Sequence, residues 1–319
     1  MHEFELIKDY FSKISKKNRF ALELNDDVFF DKKKGIIISV DTYNLGSHFI
    51  NFKSPDLVIK KIIRSSISDL ICKGVNPKFY FISGSGDKRT FTKRNLLKIS
   101  KSLKNEQDRY KISLCGGDTT FSRKLSFTVT SLGYSKKIIY RNRAKIHDDI
   151  YVTGNLGDSF LGLQILKRKI NTEKKLSDFF IKKYYLPDLQ YKLTKYLFKF
   201  ANTSIDISDG LISDLKKMLN RQNLSFLLDI KKIPTSNYFN RLSKKKKLKK
   251  LSLVSNGDDY QILFTAEKGK ARIIKNISRI TGIKISNIGK IISGKNKSRI
   301  IDEKGRQIEA KSKGYLHQF

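Results

Sequence analysis

Cysteine is almost missing from the 319-residue chain: Cys72 and Cys115 lie far apart with no CxxC pair, which excludes a disulfide scaffold and a cysteine-rich zinc site. No stretch of ~18 uncharged apolar residues occurs, so no transmembrane helix is expected. The first residues, MHEFELIKDYF, carry acids where a secretory leader needs a basic segment followed by a long apolar run. Acidic residues are also scarce, 30 Asp and Glu against 66 Lys and Arg, a formal net charge of +36. Enough remains for packed cores: 39% of the residues are hydrophobic and 11% aromatic, which speaks against wholesale disorder. At about 150 residues per domain, the length suggests two domains. A cytoplasmic, two-domain protein is expected.

The basic surplus invites a nucleic-acid reading, since Lys and Arg neutralise phosphates and release counterions. However, the basic residues are spread along the whole chain and are mostly Lys. The densest run, Lys244 to Lys250 (KKKKLKK), has no interleaved aromatics on which bases could stack. It reads as a solvated helix end or loop, and nucleic-acid binding is expected to be at most weak and non-specific.

Because acids are few, their positions carry information. Aspartates fall singly or in tight groups at Asp26-Asp27, Asp41, Asp69, Asp118, Asp206, Asp209 and Asp258-Asp259, each beside an expected strand end, helix or Gly-containing turn. Hard divalent cations such as Mg²⁺ take carboxylate oxygens and bridge to substrate phosphates. Residues 36–41 (IIISVD) read as a buried strand ending in an acid. Residues 56–73 read as a helix closed by Gly74, with Asp69 late in it, where the helix dipole disfavours an unpartnered acid. Strands at 78–83, 111–115 and 125–133 and a helix near 93–107 complete a mixed α/β half. Residues 136–148 read as a charged linker. Beyond it come a strand at 149–153, helices at 158–168 and 176–200 (broken at Pro187), a strand at 203–207 and a helix from about Asp209. Strands at 225–230, 259–265, 284–292 and 298–302 alternate with a helix in the Lys-rich region and another at 268–281.

Two glycine patterns are decoys. Gly289 to Asn296 nearly fits GxxxxGK followed by Ser or Thr, but Asn296 lacks the metal-binding hydroxyl and no helix follows. Gly84-Ser85-Gly86 lacks the third glycine of a dinucleotide fingerprint. The acidic motifs are individually ambiguous. Asn25-Asp26-Asp27, Asn256-Gly257-Asp258-Asp259 and Gly116-Gly117-Asp118-Thr119-Thr120 each read as ligand site or turn, and His48 alone reads as an ordinary histidine. Asp206-Ile207-Ser208-Asp209-Gly210 is stronger. Its alternation places Asp206 and Ser208 on one strand face, with Asp209 opening a helix whose N-terminus would attract a phosphate.

The order of the motifs is more specific than any one of them. NDD, DT(x3)GxHF, SDL, GGDTT, VTGxLGDS, DxSDGLxxDL, GDDYQILF and GYLHQF follow one another from residue 25 to residue 319. Preceded by Phe4-Glu5-Leu6-Ile7, this series resembles the bacterial thiamine-monophosphate kinases over nearly the whole chain.

The resemblance implies an α/β (α+β type) two-domain fold like that of aminoimidazole-ribonucleotide synthetase. Residues 1–136 would form an N-terminal ATP- and Mg²⁺-binding α/β domain whose strands build a β-barrel across a homodimer. Residues 137–319 would form a C-terminal α/β domain completing the phosphate and substrate site. It implies direct transfer of the ATP γ-phosphate to thiamine phosphate. Several Mg²⁺ ions would be held by Asp27, Ser39, the backbone of Val40, Asp41, Asp69, Asp118, Asp206 and Asp209. ATP would be met by Gly117, Asp118, Arg141 and Ser208, and thiamine phosphate by His48, Asp258 and Tyr315. The acceptor is an ionised phosphate monoester, so no strong base is required; the task is to align two polyanions.

Three positions depart from the family pattern: Asn25 where Gly is usual, Asp258 where Glu is usual, and Tyr315 where Trp is common. None removes a metal carboxylate. The alternatives are another ATP-dependent synthetase of the same superfamily, or a catalytically inactive polyanion-binding relative. A selenophosphate synthetase would need a reactive residue near the N-terminus, and no cysteine precedes Cys72.

Overall fold

The structure, a computed structural model, describes residues 3–309 and 314–315. The chain opens with short helical turns: α1 (Glu3–Leu6), a π-helical turn (Ile7–Phe11), α2 (Ser12–Ser15) and a 3₁₀ stretch (Arg19–Leu24). Six strands then form the first sheet: β1 (Phe29–Asp31), β2 (Ile36–Asn44), β3 (Pro77–Gly86), β4 (Ser113–Gly116), β5 (Thr119–Phe121) and β6 (Ser126–Tyr134). Their order is β1-β2-β6-β3-β4, and β5 continues beside the far end of β3. The pairing is antiparallel except for β4 and β5, which run parallel to β3.

Side chains alternate across β2, so Ile37, Ser39, Asp41 and Tyr43 share its inner face while Val40 points outward. The sequence reading ended this strand at Asp41. It runs three residues further because Thr42 and Tyr43 stay in register with Thr128 and Phe127, with a 2.9 Å bond between the Thr42 and Thr128 hydroxyls. Asp41 is therefore a mid-strand residue, paired with Val129 of β6 and flanked by paired residues before and after it.

Helix α3 (Pro55–Cys72) covers the inner face, and α4 (Lys93–Tyr110) packs on α3. Ile59, Ile63 and Ile67 of α3 are fully buried, each worth roughly 1.5–3 kcal/mol of transfer free energy. Gly74 closes the helix in the left-handed conformation (φ 77°), as the sequence predicts. The outer sheet face stays open: Val40, Phe79, Phe81, Leu114, Phe121 and Tyr134 are all exposed.

Residues 135–148 contain no helix or strand. The second sheet follows, with β7 (Asp149–Thr153), β8 (Thr203–Asp206), β9 (Leu224–Asp229), β10 (Ile262–Ala266), β11 (Ile285–Ser293), β12 (Arg299–Ile301) and β13 (Gln307–Ile308). Its order is β13-β12-β9-β11-β7-β10-β8. Helices α5 (Asp158–Leu166), α6 (Lys174–Tyr185), α7 (Leu211–Met218), α8 (Asn237–Lys245), α9 (Lys250–Val254) and α10 (Ala271–Thr281) accompany it. The segment expected as helix up to residue 200 becomes a 3₁₀ stretch, Tyr191–Lys199, beyond Pro187. The strand expected from 259 starts only at Ile262, because Asp258 and Tyr260 take left-handed φ values of 69° and 49°. The lysine run at 244–250 is a largely exposed helix end and turn, and Gly289 to Ser293 lies within β11, so no phosphate loop exists there.

One apolar cluster joins the two sheets, bringing Ile59 and Ile63 of α3 together with Tyr184, Leu193 and Phe264. The C-terminal end of α3 is also fastened to β8: the Ser68 hydroxyl donates to Asp206 Oδ2 (2.6 Å) and the Ser204 hydroxyl donates to the Cys72 carbonyl (2.5 Å). Asp69 in α3 and Asp206 in β8 are thus held at one seam. No helix among the described residues is long and apolar enough to cross a membrane.

Candidate active site

A cavity of about 630 Å³ opens at that seam. It is lined by Asp27, Val40, Asp41, Asp69, Arg141, Asp206, Ser208 and Asp209, and also by His48, Asp258 and Tyr315. Residues from seven separated stretches of the sequence meet around one space, with both sheets contributing.

Its floor is acidic. Asp41 comes from the inner face of β2, Asp69 from the last turn of α3 and Asp206 from the end of β8. Burial, then the charge of Asp206, pushes Asp41 up to about 7 against a weaker opposing hydrogen bond from Tyr43. Burial pushes Asp206 up to about 6, with Ser68, Arg141 and Lys73 pulling the other way. Asp69 is raised well above the ordinary range by burial and by both of its acidic neighbours. Three carboxyls pushed toward the protonated form by burial and by one another suit a hard cation. Among the described residues no three acidic, histidine or cysteine side chains converge on a single point. That fits Mg²⁺, which commonly takes one or two carboxylates and completes its shell with water and substrate phosphate.

A pH dependence follows. These folded-state values lie above the ordinary carboxylate value of 3.8, so without metal the folded protein binds more protons than the unfolded chain between about pH 4 and pH 7. Metal-free stability therefore falls as pH rises through that window, and stabilisation by Mg²⁺ grows over the same range. Titration calorimetry at pH 6 in two buffers of different ionisation heat should report proton release on Mg²⁺ binding. Identical apparent enthalpies in the two buffers would contradict it.

The rim carries cations as well. Lys73, fully buried, places its ammonium 2.6 Å from Asp26 Oδ1 and 2.9 Å from Asp27 Oδ2. Arg141 donates through Nε to Asp27 Oδ2 (3.0 Å) and through Nη2 to Asp27 Oδ1, and its backbone N–H donates to Asp26 Oδ2 (3.0 Å). Lys217 pairs with Asp209 and lies 3.1 Å from Asp214 Oδ1. Asp214 also corrects one expectation. Helix α7 begins at Leu211 rather than Asp209, and the amides of Asp209 and Gly210 donate to Asp214 Oδ2 at 2.9 Å each. Those donors serve the chain's own carboxylate, so this helix start is no open phosphate cradle. Gly210 is needed there: its φ is 129°, and a Cβ would stand 2.2 Å from the Ser255 carbonyl oxygen.

The far end is less acidic. Asp258 Oδ1 accepts from Lys61 Nζ (2.7 Å) and from the Tyr260 hydroxyl (3.2 Å). Lys61 is itself buried, with its ammonium 3.6 Å from the centre of the Tyr184 ring. His48 Nδ1 accepts the Asn44 backbone N–H (3.0 Å), which leaves Nε2 to carry the proton of the neutral ring. The Tyr315 backbone N–H donates to the Asp209 carbonyl (3.1 Å), setting its half-exposed ring at the cavity mouth.

Comparison with known proteins bears on this arrangement. The family described as AIR synthase related protein, N-terminal domain, matches residues 24–135. The thiamine-monophosphate kinase of Buchnera aphidicola (subsp. Acyrthosiphon pisum) is 32% identical over 326 residues, covering 99% of this chain and 98% of its own. That of Haemophilus influenzae is 33% identical, covering 83% of this chain and 81% of its own. The chain belongs to the thiamine-monophosphate kinase family. Among solved structures, AaThiL complexed with AMPPCP and TMP is similar with a TM-score of 0.85 at 25% identity, covering 99% of this chain and 97% of that one. The thiamine monophosphate kinase of Aquifex aeolicus gives 0.81 at 25% identity, covering 96% and 97%. The two-domain fold like that of aminoimidazole-ribonucleotide synthetase is the fold of this chain.

In this thiamine-monophosphate kinase family member, three of the expected site residues lie outside the cavity lining. Ser39 is buried beneath the floor, donating to the Ser66 carbonyl (3.3 Å) and hydrogen-bonded to Asp69. Gly117 and Asp118 sit in the exposed connection between β4 and β5. There the Asp118 carboxylate accepts the Thr119 N–H (2.8 Å), and a Cβ on Gly117 would stand 1.8 Å from the Ile82 carbonyl oxygen. Leu316 to Phe319 of the C-terminal motif lie outside the described residues. Sequence reasoning missed the cations Lys61, Lys73 and Lys217, and gave no role to Asp26 and Asp214, although both fall in motifs that it names. A usable signal existed for Lys61, which interrupts the isoleucine stripe of α3 on its buried side. The general lysine surplus masked it.

Proposed function

We propose that this chain transfers the γ-phosphate of ATP to thiamine phosphate, giving thiamine diphosphate and ADP, in a Mg²⁺-dependent reaction. The carrying observation is the single cavity that joins the carboxylates Asp41, Asp69 and Asp206 to His48, Asp258 and Tyr315. Asp41, Asp69 and Asp206 hold the metal, with Asp27 and Asp209 flanking them. When bound, Mg²⁺ supplies the positive charge that lets two polyanionic phosphates approach. Arg141 and Ser208 orient the ATP phosphates from the rim. His48, Asp258 and the Tyr315 ring take the thiamine phosphate end, where an aromatic face suits a heteroaromatic ring. The transfer is direct: the acceptor phosphate is itself the nucleophile, and neither Cys72 nor Cys115 lines the cavity.

Two organisational readings accompany it. Residues 1–136 and 137–319 act as ATP/Mg²⁺-binding and site-completing domains of a cytoplasmic enzyme. A second copy covers the open face of the first sheet, closing a barrel over Val40, Phe81 and Leu114, with Gly117 and Asp118 at the junction.

Purified protein with ATP, Mg²⁺ and thiamine phosphate should form thiamine diphosphate, followed by chromatography, and should form none without metal. Absence of product from well-folded protein, or equal product without metal, would overturn the reading. Asp258→Glu keeps a carboxylate within reach of Lys61, and its KM for thiamine phosphate should be unchanged or lower. A loss above about tenfold, ~1.4 kcal/mol, would mean that the subsite is built around the shorter side chain.

A further inference from the structure

Lys61 and Lys73 are buried at or beside the cavity and Lys217 is half-buried on it; Lys73 and Lys217 neutralise acids at its metal-facing end. Lys73 has no exposed surface, and its three N–H groups meet three acceptors: Asp26 Oδ1 (2.6 Å), Asp27 Oδ2 (2.9 Å) and the Ser204 carbonyl (3.1 Å). It cannot swing into water without breaking all three. Asp27 is in addition held by Arg141 on both of its oxygens. Lys217 is tied in the same manner to Asp209 and to the fully buried Asp214. By contrast, no basic side chain among the described residues lies within ion-pair distance of Asp41, Asp69 or Asp206.

We infer that Lys73 and Lys217 are fixed cations standing in for metal on the cavity rim, so that Asp27 and Asp209 are their counter-ions and Mg²⁺ is confined to Asp41, Asp69 and Asp206. This rests on the proposed metal-dependent function. A divalent ion approaching Asp27 would have to stand beside two immobile positive charges, and like charges at such separations repel strongly where water is excluded. An ion held by one or two of Asp41, Asp69 and Asp206 instead meets carboxyls that no cation contacts within ion-pair distance. The chain thus carries part of its counter-charge covalently, which also gives two members of its large lysine surplus a role.

The test is Mn²⁺ binding to the full-length protein, followed by electron paramagnetic resonance of the free ion, with melting curves as the folding check. Asp27→Asn and Asp209→Asn should change Mn²⁺ affinity by less than about twofold, whereas Asp41→Asn and Asp206→Asn should weaken it at least tenfold. Lys217→Met should bind an additional Mn²⁺ at the freed Asp209, and Lys73→Met combined with Arg141→Met one at the freed Asp27. If Asp27→Asn loses as much affinity as Asp41→Asn, or if a folded Lys217→Met variant binds no further ion, the inference is overturned. The Asn variants remove no buried cation, so they remain informative should a Met variant fail to fold. Thiamine diphosphate formation on the same preparations separates the two readings. Missing product alongside the expected Mn²⁺ ordering overturns the activity alone, and product alongside equal losses in the Asp27 and Asp41 variants overturns this assignment alone.

Discussion

Asp41→Asn is expected to lower kcat by at least about a hundredfold while the fold stays intact, the scale on which a single preorganised charge acts in a catalytic site. Asp41 contributes no apolar packing. It sits mid-strand between neighbours that keep their register with β6, and Asn occupies the same volume. What the change removes is one of three mutually repelling carboxylates. The metal-free melting temperature at pH 8 should therefore be unchanged or higher, while the upward shift on adding Mg²⁺ shrinks. Loss of activity with an undiminished Mg²⁺ shift would mean that Asp41 acts on something other than the metal. Normal kcat at ordinary Mg²⁺ would remove Asp41 from the site altogether.

Gly257→Ala should do the opposite, damaging fold and site together. A Cβ at residue 257 would stand 1.7 Å from the Ser208 carbonyl oxygen and 2.4 Å from its carbon. Both are backbone atoms, so no side-chain rotation relieves the clash. The two segments must separate by more than an ångström, breaking the Asp258 N–H bond to Ser208 (2.9 Å) and straining the Tyr260 N–H bond to Ile207 (2.8 Å). Asp258 is then drawn off Lys61, leaving a buried ammonium without its partner, a change that costs several kcal/mol. Activity should fall at least about a hundredfold, and the melting temperature should drop by roughly 5–10 °C. Gly269→Ala is the control, since nothing lies within 4 Å of its added carbon. A Gly257→Ala variant with wild-type melting and turnover would show that this close approach is absent in solution.

Much of the fold was legible because local rules govern it. The isoleucine spacing of α3, its stop at Gly74, and the alternation in β6 are set by residues within a turn or a strand of one another. Errors fell where a distant partner decides the local outcome. Residues Thr42 and Tyr43 extend β2 because β6 is alongside, and α7 starts late because Asp214 reaches back to the amides of Asp209 and Gly210 just before it. The acids themselves were readable from the sequence, since aspartates grouped beside glycines stand out against a basic background.

The sequence by itself named most of the residues that line the cavity: the ordered acidic motifs, Arg141, and His48, Asp258 and Tyr315, though Ser39, Gly117 and Asp118 lie outside it. Only the tertiary structure decided which of those acids lack a positive partner. Asp27 and Asp41 are both aspartates beside expected strands in the sequence. In the folded chain one meets Lys73 and Arg141, while the other meets Asp206. Charge pairing is a matter of a few ångströms between side chains 40 to 200 residues apart, and no local pattern encodes it. The same reason hides Lys61 and Lys73 among 66 basic residues, since burial, not residue type, makes them different.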